Sequence, residues 1–458
     1  MGKRAAILLG FMVLSGVPAT FAQQAMAPAE MSGKSEALIQ RLVKADQFSG
    51  TVLVARDGVP VFRKAYGFAN REWKIPNVAE AKFRVGSITK QFTATAILQL
   101  AEAGKLSIDD PISKYYSEAP ATWNAITIRH LLTHTSGIPS YTGIPHFFDS
   151  DARLDRKPED IIKLTRDKPL EFAPGSKFSY DNSGYIILGY IVEKLSGEPY
   201  ADYIQHHIFD ALGMKSSGYD VSETIIPDRA AGYDWNKTLF VNAPYLSMTE
   251  PFSAGSLYST VDDMLIWDRA LDAGKPLSAA SLQAMFTDYG HGYGFGWFID
   301  KQFGHEHIYH SGGINGFVSR FDRYPGDKLT IVVLSNESNA PVGRIADGLA
   351  AFYLGIPPRS PAPGGDAMLS HMIDELRQGT PDYSQMSSEM AELTRAQLPG
   401  LQARIAGLGP VQSISLIAAD PGGMDRYKVI FQNDATEWGI RLGPDGKMDG
   451  AGFRPLDR

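Results

Sequence analysis

The sequence predicts an α+β fold in which strands from both ends of the chain form one sheet and helices lie between them. A hairpin is expected over residues 50–55 and 59–66, because strand-forming residues flank the turn dipeptide Asp57-Gly58. Three more strand patterns lie at residues 294–299, 317–321 and 329–334. The sheet must therefore be completed by segments that are distant in sequence.

Two helices are indicated between these strands. Apolar residues at four-residue steps, followed by a glycine where a helix would end, occur at Ile88, Phe92, Ala96, Leu100 and Gly104. A second apolar stretch, residues 185–195, is closed by Gly197. We interpret both apolar stripes as the core-facing sides of helices.

The composition is that of a globular protein with a sizeable core, since 44% of the 458 residues are hydrophobic and 21% are charged. Cysteine is absent, which excludes disulfides, zinc-thiolate sites, iron–sulfur clusters and thiol nucleophiles. The formal net charge is −7 and no basic block occurs. Binding to nucleic acid or to anionic lipid is therefore not expected.

The N-terminus has the pattern of a secretory signal over residues 1–22. Lys3 and Arg4 precede an apolar run, residues 5–17, and small residues follow up to Ala22. The alternative, a retained membrane anchor, is disfavoured because the run is too short to span a bilayer. We expect an exported protein, periplasmic or secreted and without a stable membrane anchor, that begins with a flexible leader at residues 23–35.

The C-terminal part is predicted to be a separate module. Residues 356–365 contain four prolines and no periodic pattern, which is typical of a linker. Residues 366–458 then predict a small α+β domain. Its helical patterns lie at 367–376 and 388–398, and its strand patterns at 411–418, 427–432 and 437–442. No motif in it indicates chemistry, so its role stays open.

Ser87-Ile88-Thr89-Lys90 lies at the start of the first helix. A spacing of three puts Ser87 and Lys90 on one helical face. A serine hydroxyl needs a neighbouring base to become a nucleophile, and a lysine amine becomes that base when burial lowers its pKa. The pattern alone also fits a helix N-cap followed by an exposed lysine.

Tyr180 and Asn182 lie just ahead of the second helix. A tyrosine phenol can relay protons if nearby cations lower its pKa from about 10. Asn182 can donate to a substrate carbonyl and accept from Lys90. A partly buried aromatic residue beside helix-capping residues is the alternative.

His310-Ser311-Gly312-Gly313 lies between two strand patterns. The two glycines would let the backbone approach a ligand closely, so that N–H groups there form half of an oxyanion hole and the N–H of Ser87 forms the other half. A plain glycine turn in a hairpin is the alternative.

In this order, Ser-x-x-Lys, Tyr-x-Asn and His-x-Gly resemble the motifs of the serine β-lactamase and penicillin-binding-protein superfamily. The resemblance is to the branch of class C β-lactamases, D-alanyl-D-alanine carboxypeptidases, D-aminopeptidases and β-lactamase-like esterases. It covers residues 36–355, and the flanking segments 131–139, 251–260 and 293–297 agree. The resemblance implies an antiparallel sheet flanked by helices, a helical subdomain, a site between them, and no metal or organic cofactor.

The resemblance also implies the role of each site residue. Ser87 would be the acylated nucleophile, with Lys90 and Tyr180 sharing its proton and passing it to the leaving group. Asn182 would hold Lys90 or the substrate's amide, and the N–H groups of Ser87 and Gly313 would hold the oxyanion. The rest of the motif completes the substrate-binding set, namely His310, Ser311 and Gly312.

One departure concerns the substrate. Class C β-lactamases typically have Lys-Thr-Gly where this chain has His310-Ser311-Gly312. Histidine is mostly neutral at pH 7, so it is a weaker anchor for a substrate carboxylate. We therefore expect cleavage of a small-molecule ester, amide or peptide, including D-residue peptides, ahead of β-lactams or peptidoglycan peptides. A peptide-binding or cell-wall-binding protein without catalysis is the alternative of another class, and the oligomeric state stays open.

The remaining histidines do not predict a metal site. On a strand, His305 and His307 would share one face while His310 falls on the other, and a fourth ligand is not evident. Zinc is the alternative that this cluster leaves open. We expect His305 and His307 to be exposed strand residues, and His134 to have a packing or surface role.

Overall fold

The structure is a computed structural model that describes residues 28–236 and 238–456. The predicted signal, residues 1–22, and the first part of the predicted leader lie outside the described residues. No helix of the described segments is both long and apolar enough to cross a membrane.

The described chain alternates between short helices and strands. The helices are α1 (Pro28–Lys44), α2 (Thr89–Glu102), α3 (Ile128–Leu132), α4 (Pro158–Arg166), α5 (Ser183–Ser196), α6 (Tyr200–Ile204), α7 (Phe252–Gly255), α8 (Val261–Asp272), α9 (Ala279–Met285), α10 (Val342–Tyr353), α11 (Gly365–Gln378) and α12 (Ser388–Leu408). The strands are β1 (Gly50–Arg56), β2 (Val59–Tyr66), β3 (Phe68–Asn70), β4 (Ile75–Pro76), β5 (Phe83–Arg84), β6 (Gly218–Tyr219), β7 (Tyr233–Trp235), β8 (Phe240–Asn242), β9 (Leu257–Ser259), β10 (Phe298–Gln302), β11 (His305–Ile314), β12 (Phe317–Tyr324), β13 (Leu329–Ser335), β14 (Val411–Ala419), β15 (Met424–Phe431), β16 (Ala435–Leu442) and β17 (Met448–Pro455).

The main sheet has six strands in the order β10-β11-β12-β13-β1-β2, all antiparallel. Strand β1 pairs with β13 from Gly50 opposite Ser335 to Arg56 opposite Leu329. The predicted α+β class, with a sheet completed by distant segments and flanked by helices, is therefore confirmed.

One predicted strand begins later than expected. The pattern at residues 294–299 predicts a strand from Gly294, but β10 starts at Phe298. Residues before it form a turn instead, because the N–H of Gly294 donates to the carbonyl of Trp297 at 2.8 Å. Trp297 is fully buried, so the core holds this segment away from the sheet edge.

The sheet has a core on each face. Leu53 of β1 belongs to the larger core, which includes α2, α5 and α8, whereas Val52 and Val54 belong to the core under α10. This alternation follows from the two-residue period of a strand. Because both faces are covered, β1 is an almost continuous run of buried residues.

The predicted flexible leader is wrong for residues 28–35, which form the first turns of α1. Met31 packs against the core under α10, and the hydroxyl of buried Ser35 donates to the carbonyl of Met31 at 2.8 Å. The local sequence is small and polar and includes Gly33. The helix forms because tertiary packing overrides these weak local signals.

The C-terminal residues form four antiparallel strands in the order β14-β15-β16-β17, covered by α11 and α12 around a core of their own. No helix or strand lies between Tyr353 and Gly365. Helix α12 continues through Pro399, beyond the end predicted at 398, and β17 completes the sheet without having been predicted. The boundaries of the linker and of an independently folding domain stay a prediction.

The expectation of exposed histidines in β11 is wrong for His307, of which 1% of the side chain is exposed. Its ring stacks on Tyr324, with centroids 4.8 Å apart, and its Nδ1 lies 2.8 Å from Asp300 Oδ1. The second core covers this face of the strand. Among the described residues, no group of three or more His, Asp or Glu side chains is arranged to hold a metal ion.

Candidate active site

Ser87 lies in a tight 3₁₀ turn, Gly86–Ile88, that leads directly into α2. Gly86 has a φ of +54°, and a Cβ atom there would lie 2.9 Å from the backbone nitrogen of Gly313. Only glycine therefore fits both the left-handed conformation and the close approach to β11. The approach places the turn that carries Ser87 against Gly313 of β11, and the oxyanion hole at these two N–H groups stays a prediction.

Lys90 follows Ser87 by one turn, and its side chain is fully buried. Its Nζ lies 3.1 Å from Ser87 Oγ, 2.9 Å from Asn182 Oδ1 and 2.9 Å from the carbonyl oxygen of Ala254. Burial lowers the pKa of Lys90 to about 7, against the opposing charge of Asp181. A substantial fraction of this amine is thus neutral at neutral pH.

The contacts of Lys90 suit a base. A neutral amine has two N–H groups and one lone pair, and the oxygens of Asn182 and Ala254 are two acceptors for the N–H groups. The lone pair is then left for the hydroxyl proton of Ser87. An exposed lysine behind a helix cap, the alternative for this motif, does not match the structure.

Asn182 holds Lys90 in place. Its Oδ1 accepts from Lys90, and its Nδ2 donates to Thr142 Oγ1 at 3.1 Å. Of the two roles that the resemblance implied for this residue, the contact with Lys90 is the one present in the structure.

Tyr180 lies against the same amine, with Lys90 Nζ 4.9 Å from its ring centroid. Its hydroxyl is shielded from solvent and has no hydrogen-bond partner among the described residues. Burial raises the pKa of Tyr180 above its ordinary value, although the neighbouring Ser87 hydroxyl opposes the shift. The expectation that cations lower this pKa is not met, because burial is the largest influence and the charge of Asp181 also raises the pKa. Tyr180 is a phenol in the resting site.

His134 and Asp181 were not singled out for the site by the sequence. The His134 ring lies 4.3 Å from that of Tyr180, and its Nδ1 accepts from the N–H of Asp181 at 3.2 Å. Burial lowers the pKa of His134, so the ring is neutral. Asp181 Oδ1 accepts from the N–H of Gly184 at 2.6 Å and caps α5. His134 therefore supports Tyr180 by packing, and its position in the flanking segment 131–139 was the available signal.

His310 does not present its side chain to a substrate, contrary to the prediction. The residue is 1% exposed and its Nε2 lies 3.0 Å from the hydroxyl of Tyr293. Burial and the neighbouring Lys90 keep the pKa of His310 well below its ordinary value. A neutral, enclosed imidazole cannot anchor a substrate carboxylate, so this position stabilises the aromatic wall behind Tyr180.

The other three members of the motif lie along β11 but do not all line the same cavity. Gly313 lines a cavity together with Ser87, whereas Ser311 and Gly312 do not. A Cβ atom on Gly312 would lie 1.9 Å from the carbonyl oxygen of Val85, so glycine is required for the strand to pass the Ser87 turn. Gly313 is thus the one member of the four that faces the nucleophile's cavity.

This cavity, of about 480 Å³, opens beside Ser87 and Asn182. Its walls are largely aromatic and apolar, formed by Tyr141, Phe147, Phe148, Leu246 and Phe317. Two acids, Asp234 and Glu250, also line it, and no Lys, Arg or His of the described residues does. The pocket therefore fits an apolar group that is neutral or positively charged.

Glu250 is a further residue that the sequence did not indicate. Its side chain is 1% exposed, and its Oε1 accepts from Arg156 Nη1 at 2.8 Å. Its Oε2 has no partner among the described residues. Burial raises the pKa of Glu250 to about 7, against the effect of Arg156. Glu250 thus contributes an acidic residue to the wall of the cavity and has a shielded carboxyl oxygen without a partner among the described residues.

Comparison with known proteins identifies the family of the chain. The family model described as Beta-lactamase matches residues 36–355. A curated relative, "Putative penicillin-binding protein PbpX" of Bacillus subtilis (strain 168), is 34% identical over 67% of this chain and 75% of its own length.

Two solved structures extend the comparison. The D-stereospecific amidohydrolase from Streptomyces sp. is 27% identical with a TM-score of 0.62, over 72% of this chain and 99% of its own. The octameric penicillin-binding protein homologue from Pyrococcus abyssi is 25% identical with a TM-score of 0.64, over 93% and 96% of the two chains. The chain therefore belongs to the β-lactamase family, within the serine β-lactamase and penicillin-binding-protein superfamily.

Proposed function

We propose that the protein is a serine hydrolase that cleaves ester or amide bonds, including peptide bonds, through an acyl-enzyme on Ser87. The observation that carries the proposal is the buried Lys90 amine, 3.1 Å from Ser87 Oγ, with a pKa lowered to about 7. A base with a pKa near the working pH is the most effective one for activating a serine hydroxyl.

Acylation begins when Lys90 takes the proton of Ser87 and Oγ attacks the substrate's carbonyl carbon. The negative charge that develops on the carbonyl oxygen is stabilised by the N–H groups of Ser87 and Gly313. The tetrahedral intermediate then collapses, breaking the bond to the leaving nitrogen or oxygen. That atom must gain a proton in the same step.

Tyr180 is suited to supply this proton. Its pKa is above the ordinary value and its hydroxyl has no competing partner among the described residues, so it is a protonated donor beside Ser87. Lys90, now carrying the serine proton, returns a proton to the phenolate. In deacylation a water molecule gives a proton to Lys90 and attacks the acyl carbonyl carbon. The bond from that carbon to Ser87 Oγ then breaks, the acid product leaves, and Lys90 returns the proton to Oγ.

The cavity supports a choice of substrate. Its aromatic walls suit an apolar acyl substituent, and the two acids in its lining, Asp234 and Glu250, suit an ammonium group on the acyl side. Amides or esters of amino acids with a free amine combine these features. The likeness to a D-stereospecific amidohydrolase supports D-residues among them.

β-Lactams and peptidoglycan peptides are the second candidate class of substrate. The neutral, enclosed His310 does not provide the cation that the motif supplies in class C β-lactamases, which is why this class comes second. A binding protein without turnover is disfavoured as well, since nucleophile, base and proton donor lie together.

The test is covalent labelling by a fluorophosphonate, read by intact mass, with turnover of a nitrophenyl ester and D-amino acid amides measured alongside. We expect one adduct on the wild-type protein, and for Ser87→Ala neither an adduct nor turnover, a loss on the order of 10⁵-fold. Ser176→Ala, which changes an exposed serine outside the cavity, is the matched control and should behave as wild type. Labelling that survives in Ser87→Ala would refute the assignment of the nucleophile.

Export is part of the proposal, with removal of residues 1–22. Expression of the full chain in a bacterial host, followed by fractionation and N-terminal sequencing, should yield mature protein that starts at Gln23 outside the cytoplasm. A full-length protein retained in the cytoplasm would contradict the predicted signal.

A further inference from the structure

A second cavity, of about 470 Å³, adjoins the nucleophile's cavity and shares Gly313 and Val318 with it. Its walls include Ser311 and Gly312 of β11 and the start of α10. The cavity is completed by three arginines, of which two belong to the C-terminal domain: Arg344, Arg426 and Arg454. It is therefore a site between the catalytic region and the domain to which the sequence assigned no role.

The three guanidinium groups converge on one carboxylate. Arg344 Nη1 and Arg426 Nη1 each lie 3.1 Å from Glu437 Oε1, and Arg454 Nη2 lies 2.9 Å from Glu437 Oε2. One further acid, Asp420, accepts from Arg426 Nε. Three positive charges thus face two negative ones.

The imbalance is visible at Arg344. Its Nη2 has no hydrogen-bond partner among the described residues. Burial lowers the pKa of Arg344, and Arg454 and Arg426 add to the effect while Glu437 opposes it. Each arginine has five N–H donors, and the two carboxylates cannot accept all of them. A group with more acceptor oxygens would complete the cluster.

We propose that Arg344, Arg426 and Arg454 form a subsite for the carboxylate of a substrate whose scissile carbonyl is held at Ser87. The proposal rests on the proposed hydrolase function and adds to it a role for the C-terminal domain in substrate selection. A planar carboxylate matches the forked donors of arginine, which bind it through two parallel hydrogen bonds.

The position of the cluster fits a substrate longer than a single residue. Gly313 borders both cavities, and it is the residue whose N–H is proposed to bind the oxyanion. A short peptide with its scissile carbonyl at that N–H would therefore have one end near the acids of the first cavity and the other near the arginines of the second. The ends of a peptide with free termini carry the matching charges.

The experiment compares D-residue dipeptides in pairs, each with a free C-terminal carboxylate and as the C-terminal amide. We expect the wild-type full chain to prefer the free carboxylate in kcat/KM. In Arg454→Gln the ratio of kcat/KM for acid over amide should fall about tenfold, as for the loss of one charge-assisted hydrogen bond. This variant leaves Glu437 with two arginines, so the fold should persist. Arg441→Gln, an exposed arginine of the same domain that pairs with Asp449, is the control and should keep the wild-type ratio.

An equal loss for acid and amide in Arg454→Gln would mean that the cluster only joins the two domains, and it would overturn the proposal, as would a wild type without preference. Calorimetry measures the binding of the same acid and amide pairs to the Ser87→Ala variant. This measurement tests the carboxylate subsite separately from the proposed hydrolase activity. A preference for the acid in binding, with no turnover by the wild type, would uphold the subsite and refute the hydrolase. Turnover of a nitrophenyl ester without any preference for the acid would do the reverse.

Discussion

The two cavities that meet at Gly313 have similar volumes and opposite charge. The one beside Ser87 is lined by Asp234 and Glu250, and the other by three arginines, two of which lie outside the region matched by the family model. The first is built by loops, short turns and strand ends of the region that the family model matches, and the second by β11, β12, the start of α10 and two arginines of the C-terminal residues. If both proposals hold, cleavage and recognition of the acyl side belong to the first cavity, and recognition of the carboxylate end belongs to the second.

Lys90→Met is the strongest test of the first cavity. Methionine has nearly the same length but no base, so kcat should fall about 10³-fold for every substrate, whether acid or amide. The ratio between acid and amide substrates should stay unchanged, because the arginines are intact. Steady-state kinetics with both members of a dipeptide pair measures both quantities.

Lys82→Met is the matched control for that variant, since the ammonium of Lys82 is exposed and donates only to the carbonyl of Pro227 in the described structure. It should retain wild-type rates. If the Lys90→Met variant keeps more than a tenth of the wild-type kcat, Lys90 is not the base. Tyr180 would then be the next residue to test.

The two cavities should also differ in how pH affects their contributions to kcat/KM. Because the pKa of Lys90 is lowered to about 7, the amine is protonated and inactive below that pH. The value of kcat/KM should therefore fall about tenfold for each pH unit below 7 and level off above it. The arginines stay charged throughout this range, so the preference for the acid should not change between pH 7 and 9.

A profile of kcat/KM from pH 5 to 9 for one acid and amide pair checks this. The same profile on an uncharged nitrophenyl ester controls for ionisation of the substrate. An inflection near pH 10, where an exposed lysine titrates, would contradict the burial of Lys90 as the cause of its basicity.

The sequence predicted several helices and strands of the region that the family model matches because their patterns are local. The apolar stripe of α2, the glycine that closes α5 and the β1–β2 hairpin all follow from short-range signals. The three motifs were predicted through their resemblance to a family, and the structure brings Ser87, Lys90, Tyr180 and Asn182 together. These four residues could therefore be predicted because they belong to motifs whose spacing resembles that of a known family.

What the sequence could not predict depends on packing between distant segments. His310 was expected to face the substrate, and only the tertiary structure reveals Tyr293 enclosing it. Glu250 lies in no recognised motif. Its pKa is raised mainly by burial, which depends on the tertiary structure. The arginine cluster joins α10 to strands about 80 to 110 residues later in the chain, a juxtaposition that no periodic pattern encodes.

Glu250→Gln gives the smallest effect and completes the comparison. The amide keeps the shape of the side chain but cannot carry charge, so attraction for a substrate ammonium is lost. We expect kcat/KM for amino acid amides with a free amine to fall about fivefold to tenfold, while the N-acetylated amides change less than twofold. Raising the pH from 6 to 8 should strengthen this preference for the free amine in the wild type, because the pKa of Glu250 is about 7 and the carboxylate becomes ionised.

Glu223→Gln, which changes an exposed glutamate outside both cavities, is the matched control. Removal of Glu250 leaves Arg156 with Asp151 as a partner, so a stable fold is expected and a thermal melt verifies it. A Glu250→Gln variant that loses the acid-over-amide preference instead of the free-amine preference would invert the assignment of the two cavities. Because each variant should change the response to one terminus of the peptide only, the pair of measurements identifies which cavity binds which end.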